Sequence, residues 1–491
     1  MFGATLSQGR SRGLVAFSPF PFWLLTAGVV VAGLLLGGGQ SSAASGLIQL
    51  LSLVLLATTV LAIGVPPRGV LAPIGLIVAI VLVPILQLIP LPPEIWTALP
   101  GRSLAASVYS QIGVGIPWLA VSLDPNATAL AALSLLPPIA VFLATLRLGF
   151  RERRALTLLF VAVGILSVLL GLAQLKGGET SSLRFYPITN TQDSVGFFAN
   201  RNHYASLLCC VIPFVVAWAT GLNDAGRRER VPGLIASALF YIALVVGIAM
   251  ARSRAGIFLG AFATVGSFIL YSFNSAAAKA AGSRGRALVG LVVLCGIIAA
   301  FQFGFNGIVD RFASDPLADL RFTIADITIR AAQTFQPYGS GLGTFVPVYQ
   351  MFETPDALVI SYINHAHDDW LELWLEGGWA ALAIAAAFVA WFGYRVVVIW
   401  RAPLVDKPLD WALRRASTIA VLILMLHSGS DYPLRTTALM TLFAFCCALL
   451  IDPIPLPQRR TDLPLRSTWW RRTLQIFGPR KQAAWGRARF G

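Results

Sequence analysis

Charge is what this sequence has least of. Only 12% of its 491 residues are Asp, Glu, Lys or Arg, against about 25% in a typical soluble chain. Hydrophobic residues make up 57%, and mean hydropathy is +0.74. The deficit excludes an ordinary water-soluble enzyme and fits a chain whose solvent is lipid. Cysteine is also scarce. Cys209, Cys210, Cys295, Cys446 and Cys447 all lie inside apolar runs, so neither a disulfide framework nor metal-ligand spacing is present. They read as small buried side chains. Histidine is limited to four residues, His203, His365, His367 and His427. There is no internal repeat and no low-complexity tract.

The charge that is present is placed unevenly. Net charge is +15. Basic residues gather in short segments between apolar runs: Arg147/Arg151/Arg153/Arg154, Arg227/Arg228/Arg230, Lys279/Arg284/Arg286, Arg395/Arg401/Lys407/Arg414/Arg415, and the tail from Arg459 to Arg489. They recur at every second gap. This is the positive-inside pattern, so the basic excess points to membrane orientation and not to nucleic acid. The tail is also suited to anionic lipid headgroups.

Apolar runs long enough to span a bilayer lie near 20–38, 46–65, 70–89, 128–146, 155–175, 203–221, 233–250, 255–272, 288–305, 379–398, 416–429 and 435–451. The fold class expected is an all-α integral membrane protein of about twelve transmembrane helices, with one large periplasmic loop containing short helices. Both termini are expected in the cytoplasm of an inner-membrane protein. The first run, after Arg10 and Arg12, reads as an uncleaved anchor because its apolar stretch is longer than a signal peptide needs.

Two segments on the outer side of this topology are long. Residues 90–127, rich in Pro and Gly, read as an interfacial loop anchored by Ile95, Trp96, Trp118 and Leu119. Residues 306–378 form the largest piece between spans. Helical periodicity runs over 318–335 through Leu320, Ile324, Ile327, Ala331 and Phe335. A turn-rich stretch follows from Pro337 to Gly343, and Asn364-His365-Ala366-His367-Asp368-Asp369-Trp370 leads into the next span. The organisation expected is a bundle over 1–195, a second region over 196–451 and a basic tail over 452–491.

Polar residues at span ends carry the functional signal, because burying an arginine in mid-membrane costs about 2.5–3.5 kcal/mol or more. Arg252 and Arg254 occupy the short link Ala251–Gly256, where the positive-inside bias does not call for them. Arg201 sits in Phe198–Tyr204, between Asn200 and Asn202, and Arg321 lies in the large loop. Guanidinium groups bind phosphate oxygens through forked donors. The bland reading of each is an interfacial arginine extending to the headgroups. On a helix over 365–376, Asn364 would be the N-cap, and His365 and His367 would point to different faces and could not share a metal. His367 would then stand near the positive end of the dipole. There its protonated form is disfavoured, as suits a general base. The stretch His365–Asp369 also matches the first five positions of a metallo-β-lactamase-type H-x-H-x-D-H motif, but Trp370 stands where the last histidine belongs. No metal site is expected.

In their order these pieces resemble the O-antigen ligase and polymerase superfamily of bacterial envelope glycosyltransferases. The resemblance rests on Gly196–His203, Ser253–Gly256, Leu320-Arg321-Phe322 with Pro337–Phe345, and His365–Leu371 with Glu376-Gly377-Gly378. The turn Asp431-Tyr432-Pro433-Leu434 fits as well. It covers about 196–451. The resemblance implies an enzyme that is metal-independent and inverting, uses no cofactor, and transfers a glycan from undecaprenyl pyrophosphate at the periplasmic face. The acceptor would be lipid A core, a second lipid-linked glycan or a protein. Carried over by position, Arg254 and Arg321, with Arg201 beside them, would hold the pyrophosphate. His367, eleven residues before Gly378, would activate the acceptor. Asp368, Asn200 and Asn202 would support them. Asp368 stands where the family usually has Asn, and that carboxylate could raise the basicity of His367. The alternative is a transporter or flippase for a lipid-linked glycan or anionic solute, which calls for charges deep inside spans and symmetric halves.

Overall fold

Runs of Leu, Val, Ile and Ala too long and too uniformly apolar for a half-buried surface helix dictate the architecture, which is a packed assembly of long helices. A computed structural model describes residues 19–61, 68–222, 227–274, 316–358, 363–402 and 408–454. The helices, numbered along the described chain, are α1 (Pro19–Leu36), α2 (Ser42–Leu61), α3 (Leu71–Gln87), α4 (Pro93–Thr97), α5 (Ser103–Gln111), α6 (Pro125–Ser134), α7 (Leu136–Arg147), α8 (Phe150–Lys176), α9 (Arg201–Gly221), α10 (Arg227–Met250) and α11 (Arg254–Asn274). They continue with α12 (Pro316–Phe335), α13 (Phe345–Phe352), α14 (Asp369–Arg401), α15 (Pro408–His427) and α16 (Thr437–Leu449). One two-stranded antiparallel sheet pairs β1 (Pro90–Leu91) with β2 (Leu119–Ala120).

Among the described residues, seven helical segments are long and apolar enough to cross a membrane, with α6 and α7 counted as one. Helices α1, α3 and α16 are apolar but shorter. The expected spans coincide with helices throughout, except 288–305, which lies outside the described residues together with Cys295, the Lys279–Arg286 cluster and the basic tail. The chain is therefore an all-α membrane protein. Outward-facing leucines and isoleucines such as Leu50, Leu61, Leu239 and Ile235 are more than half exposed. A surface of that kind is stable against lipid and not against water.

Helix α9 is the axis. It packs against α10, α11 and α15, and 78% of its apolar window is buried, against 11% for α14. Small residues permit the close approach. A side chain on Gly256 of α11 would meet Ala205 of α9 at 2.6 Å, and one on Gly164 of α8 would meet Val211 at 3.0 Å. The main core joins α1, α2, α7–α11 and α14–α16.

A second, smaller core forms between α12 (Ile324, Ile327, Ala331, Phe335), α13 (Phe345, Val348, Tyr349) and the start of α14 (Leu375). Arg102 is buried over the rings of Trp96 and Phe335 and donates to the Val121 carbonyl oxygen. Burial lowers its guanidinium pKa to about 10. The structure corrects one expected anchor. Trp96 is 3% exposed and donates through Nε1 to the Ala120 oxygen, whereas Trp118 and Ile95 are exposed.

Candidate active site

The start of α14 is built by a glycine break. Gly378 has φ +61° and ψ −157° and kinks the helix. A Cβ there would meet the Pro337 oxygen at 2.2 Å, and one on Gly339 (φ +77°) would meet the Glu376 oxygen at 2.4 Å. Only glycine allows the two backbones to come so close. The loop after α12 fills the break: Trp379 N donates to the Pro337 oxygen, Ser340 N to the Leu375 oxygen and Gly341 N to the Glu376 oxygen. Gln87 of α3 adds a bond from Nε2 to the same Glu376 oxygen, at 2.8 Å. The Pro337–Gly343 and Glu376-Gly377-Gly378 motifs, distant in sequence, are thus two halves of one joint.

The helix itself starts later than the sequence reading placed it. Asp368, not Asn364, is the N-cap. Its Oδ1 accepts from Trp370 N at 2.9 Å and Leu371 N at 3.0 Å. His367 therefore precedes α14 and does not stand within its first turn. The carboxylate of Asp368 serves the backbone. The carboxylate beside His367 is that of Asp431, with Oδ1 3.4 Å from His367 Nδ1. His367 has φ +53°, a left-handed conformation that costs a non-glycine residue energy and that concentrates at functional sites. Its side chain is 25% exposed while Nδ1 is covered, which leaves Nε2 as the accessible nitrogen.

Asp431 is fully buried and sits between α9 and α15. Its Oδ2 accepts from Asn202 Nδ2 at 2.6 Å and its Oδ1 from Tyr432 N at 2.9 Å. His203 Nε2 lies 3.8 Å from Oδ1, and His427 Nε2 3.8 Å from Oδ2. Burial alone would raise the carboxyl. The approach of His367 and the neighbouring imidazoles of His203 and His427 outweigh it and hold Asp431 well below the usual carboxylate range. All four histidines of the chain converge here. The Tyr432 ring stands 4.2 Å from His365, 4.9 Å from His203 and 5.0 Å from His367, centroid to centroid.

A second cluster adjoins the first. Arg435 Nη1 is 2.8 Å from Glu376 Oε2 and 3.4 Å from Glu372 Oε1, and its Nε is 3.6 Å from Asp369 Oδ1. Burial would lower the guanidinium's pKa, but the three acids prevail and raise it further above its ordinary value. His365 bonds Glu372 through Nδ1 at 2.9 Å, and Ala366 N donates to the same carboxylate. His365 thus fastens the loop to α14. Among the described residues, no group of His, Cys, Asp and Glu is arranged to hold a metal ion.

The arginines divide. Arg201 Nη1 pairs with Asp193 Oδ2 at 2.5 Å, and Arg252 Nη1 lies 4.0 Å from Asp193 Oδ1. Arg252 also has a left-handed backbone, φ +48°. Arg254 begins α11, half-buried, just after Ser253, whose hydroxyl accepts from Gly256 N and donates to Asn202 Oδ1. Asn202 therefore ties the arginine link to Asp431, while Asn200 caps α9 by accepting from Asn202 N at 2.8 Å. Arg321 is exposed on the first half of α12, close enough for its charge to act on His427. Sequence reasoning passed over Asp431 as part of a turn and gave Arg435, His203 and His427 no role of their own. The visible signal was the polar run His427-Ser428-Gly429-Ser430-Asp431 directly after an apolar span.

Residues 239–386 match the family model described as O-Antigen ligase. The match supports a relationship of this stretch to the O-antigen ligase superfamily. The match is narrower than the 196–451 suggested by the motifs. It runs from within α10 into α14 and takes in Arg252, Arg254, Arg321, His365, His367, Asp369, Glu372 and Glu376. The α9 residues, His427, Asp431 and Arg435 lie outside the O-antigen ligase segment, and in the fold they surround it. Comparison with curated proteins returns no match.

Proposed function

We propose that the chain is an inner-membrane glycosyltransferase of the O-antigen ligase or polymerase type. It transfers a glycan from undecaprenyl pyrophosphate to a hydroxyl of lipid A core, a second lipid-linked glycan or a protein at the periplasmic face. The observation that carries this reading is the His367–Asp431 pair. A partly exposed imidazole in a strained backbone has one nitrogen held toward a buried carboxylate and the other free to meet substrate. The O-antigen ligase match and the apolar helices support reading the chain as a membrane enzyme.

In this mechanism His367 Nε2 takes the proton of the acceptor hydroxyl as its oxygen attacks the anomeric carbon. Asp431 orients the ring and stabilises the imidazolium that forms, as the carboxylate does in a Ser-His-Asp triad. The bond between the anomeric carbon and the pyrophosphate oxygen breaks, and the electron pair leaves with the lipid pyrophosphate. Attack from the opposite side inverts the anomeric centre. Arg254 and Arg321 neutralise the charge that develops on the leaving group. Arg201, paired with Asp193, serves more by holding the Asn200–Asn202 turn than by reaching phosphate. Residues 1–195 and the tail 452–491 act as scaffold and inner-face anchor in this reading.

The test uses His367→Ala, Arg254→Ala and Arg321→Ala, each confirmed in the membrane, in a strain deleted for the chain. Loss of surface polymer with accumulation of lipid-linked glycan is the expected result. Full complementation by all three would remove these residues from the mechanism.

A further inference from the structure

Asp431 has more imidazoles around it than a base-orienting carboxylate needs. His203 and His427 are 2% and 1% exposed, so neither reaches substrate. Each turns Nε2 toward the carboxylate at 3.8 Å, beyond hydrogen-bond length, and among the described residues neither nitrogen has a hydrogen-bond partner. The tautomers follow from Ser206. Its Oγ lies 2.6 Å from His427 Nδ1 and 3.0 Å from the Asn202 carbonyl oxygen, and it has one proton to give. If Ser206 donates to Nδ1, a neutral His427 carries its proton on Nε2. If Ser206 donates to the carbonyl, Nδ1 must donate to Ser206, and a bare Nε2 would then face a carboxylate in a buried site. That is unfavourable unless Nε2 is protonated as well. Either arrangement puts an N–H on Nε2, aimed at Asp431. The same repulsion puts a proton on His203 Nε2.

The two oxygens therefore accept from Asn202 and Tyr432 N and are faced at longer range by three imidazoles. Oδ1 accepts from Tyr432 N and has His367 and His203 beside it, and Oδ2 accepts from Asn202 and has His427 beside it. Resting on the reading of His367 as the base, we propose that His203 and His427 are positioning residues that share the Asp431 carboxylate with His367 and so moderate how firmly the carboxylate holds the imidazolium formed during transfer. Without them the carboxylate would hold the imidazolium of His367 more firmly, and the ring would give up its proton less readily. His203 uses the same oxygen as His367 and has the larger influence. The other ionisable groups around the hub are His365 on the same loop, Asp369, Glu372 and Glu376 on α14, Tyr432 and Arg435 on the following turn, Arg201 on α9, Arg254 on α11 and Arg321 on α12.

With only four histidines in the chain, ring-15N-histidine NMR of the full protein in lipid nanodiscs resolves each one, and the test needs no substrate. In the wild type, His203 and His427 are expected to keep Nε2 protonated from about pH 6 to 8. A bare Nε2 on either overturns the proposal without any buried substitution. In His203→Phe the titration midpoint of His367 is expected to rise by about 0.5 pH unit, and in His427→Phe by less. His203→Gln, which keeps a donor, restores the wild-type midpoint, and Asp431→Asn moves it down. An unmoved midpoint in both Phe variants contradicts the proposal while leaving His367 as the base. Unchanged glycan transfer by His367→Ala removes the underlying reading instead.

Discussion

Two clusters lie side by side at the start of α14, built on opposite plans. In one, a single cation, Arg435, is gripped by Glu376, Glu372 and Asp369, the shortest contact being 2.8 Å. In the other, a single anion, Asp431, faces His203, His367 and His427 at 3.4–3.8 Å. The first is tight and interlocked. Ser428 Oγ bonds Asp369 Oδ2, and Phe345 N bonds Glu376 Oε1, so the acids also fasten the turn after α15 and the start of α13. The second is loose, opens to solvent at one ring, and includes a residue in a strained backbone. Tight pairing of buried opposite charges holds a fold, and removing one partner leaves the others uncompensated. Loose contacts around a protonatable ring leave room for a charge to appear and vanish.

Substitutions sharpen the contrast, beginning with the largest effect. Arg435→Ala leaves three buried carboxylates without their cation and is expected to cost about 3–5 kcal/mol of stability, measured as a lower thermal midpoint in detergent or nanodiscs. An unchanged midpoint would erase the distinction between the clusters. Asp431→Asn keeps shape but loses the anion. Glycan transfer is expected to fall about 10²-fold or more, with the midpoint nearly unmoved, in a single-turnover assay on lipid-linked glycan. Gly378→Ala forces a Cβ onto the Pro337 oxygen in a left-handed conformation, at about 1–3 kcal/mol. Its signature is proteolytic opening of the loop over 336–345 ahead of the rest. His365→Gln removes one bond to Glu372 that glutamine can partly replace. It is expected to cost at most about 1 kcal/mol and to leave transfer within a few-fold of wild type.

The helices were legible because lipid makes a simple demand on sequence. Runs such as 155–175 and 203–221 read directly as α8 and α9, and the periodicity over 318–335 gave α12. The glycine joint was visible as two turn signals but not as one feature, since Gly339 and Gly378 meet only in the fold. His367, Arg254 and Arg321 were singled out through motif order, and their roles rest on the proposal above. Asp431 was missed as a partner because it lies more than sixty residues beyond His367, and hydropathy does not say which span ends touch. Asp368 misled for a local reason. A carboxylate beside a histidine in sequence has two uses, and the backbone amides of Trp370 and Leu371 claimed it as an N-cap.

The central claim is that the loose cluster, and in it His367, performs the transfer. Its most direct measurement is the rate of glycan release from purified undecaprenyl-pyrophosphate-linked donor by His367→Ala and His365→Gln, compared in the same nanodisc preparation with matched thermal midpoints. The account predicts a loss of about 10²- to 10⁴-fold for His367→Ala and a rate near wild type for His365→Gln. Equal rates for the two variants, or a greater loss at His365, would contradict it.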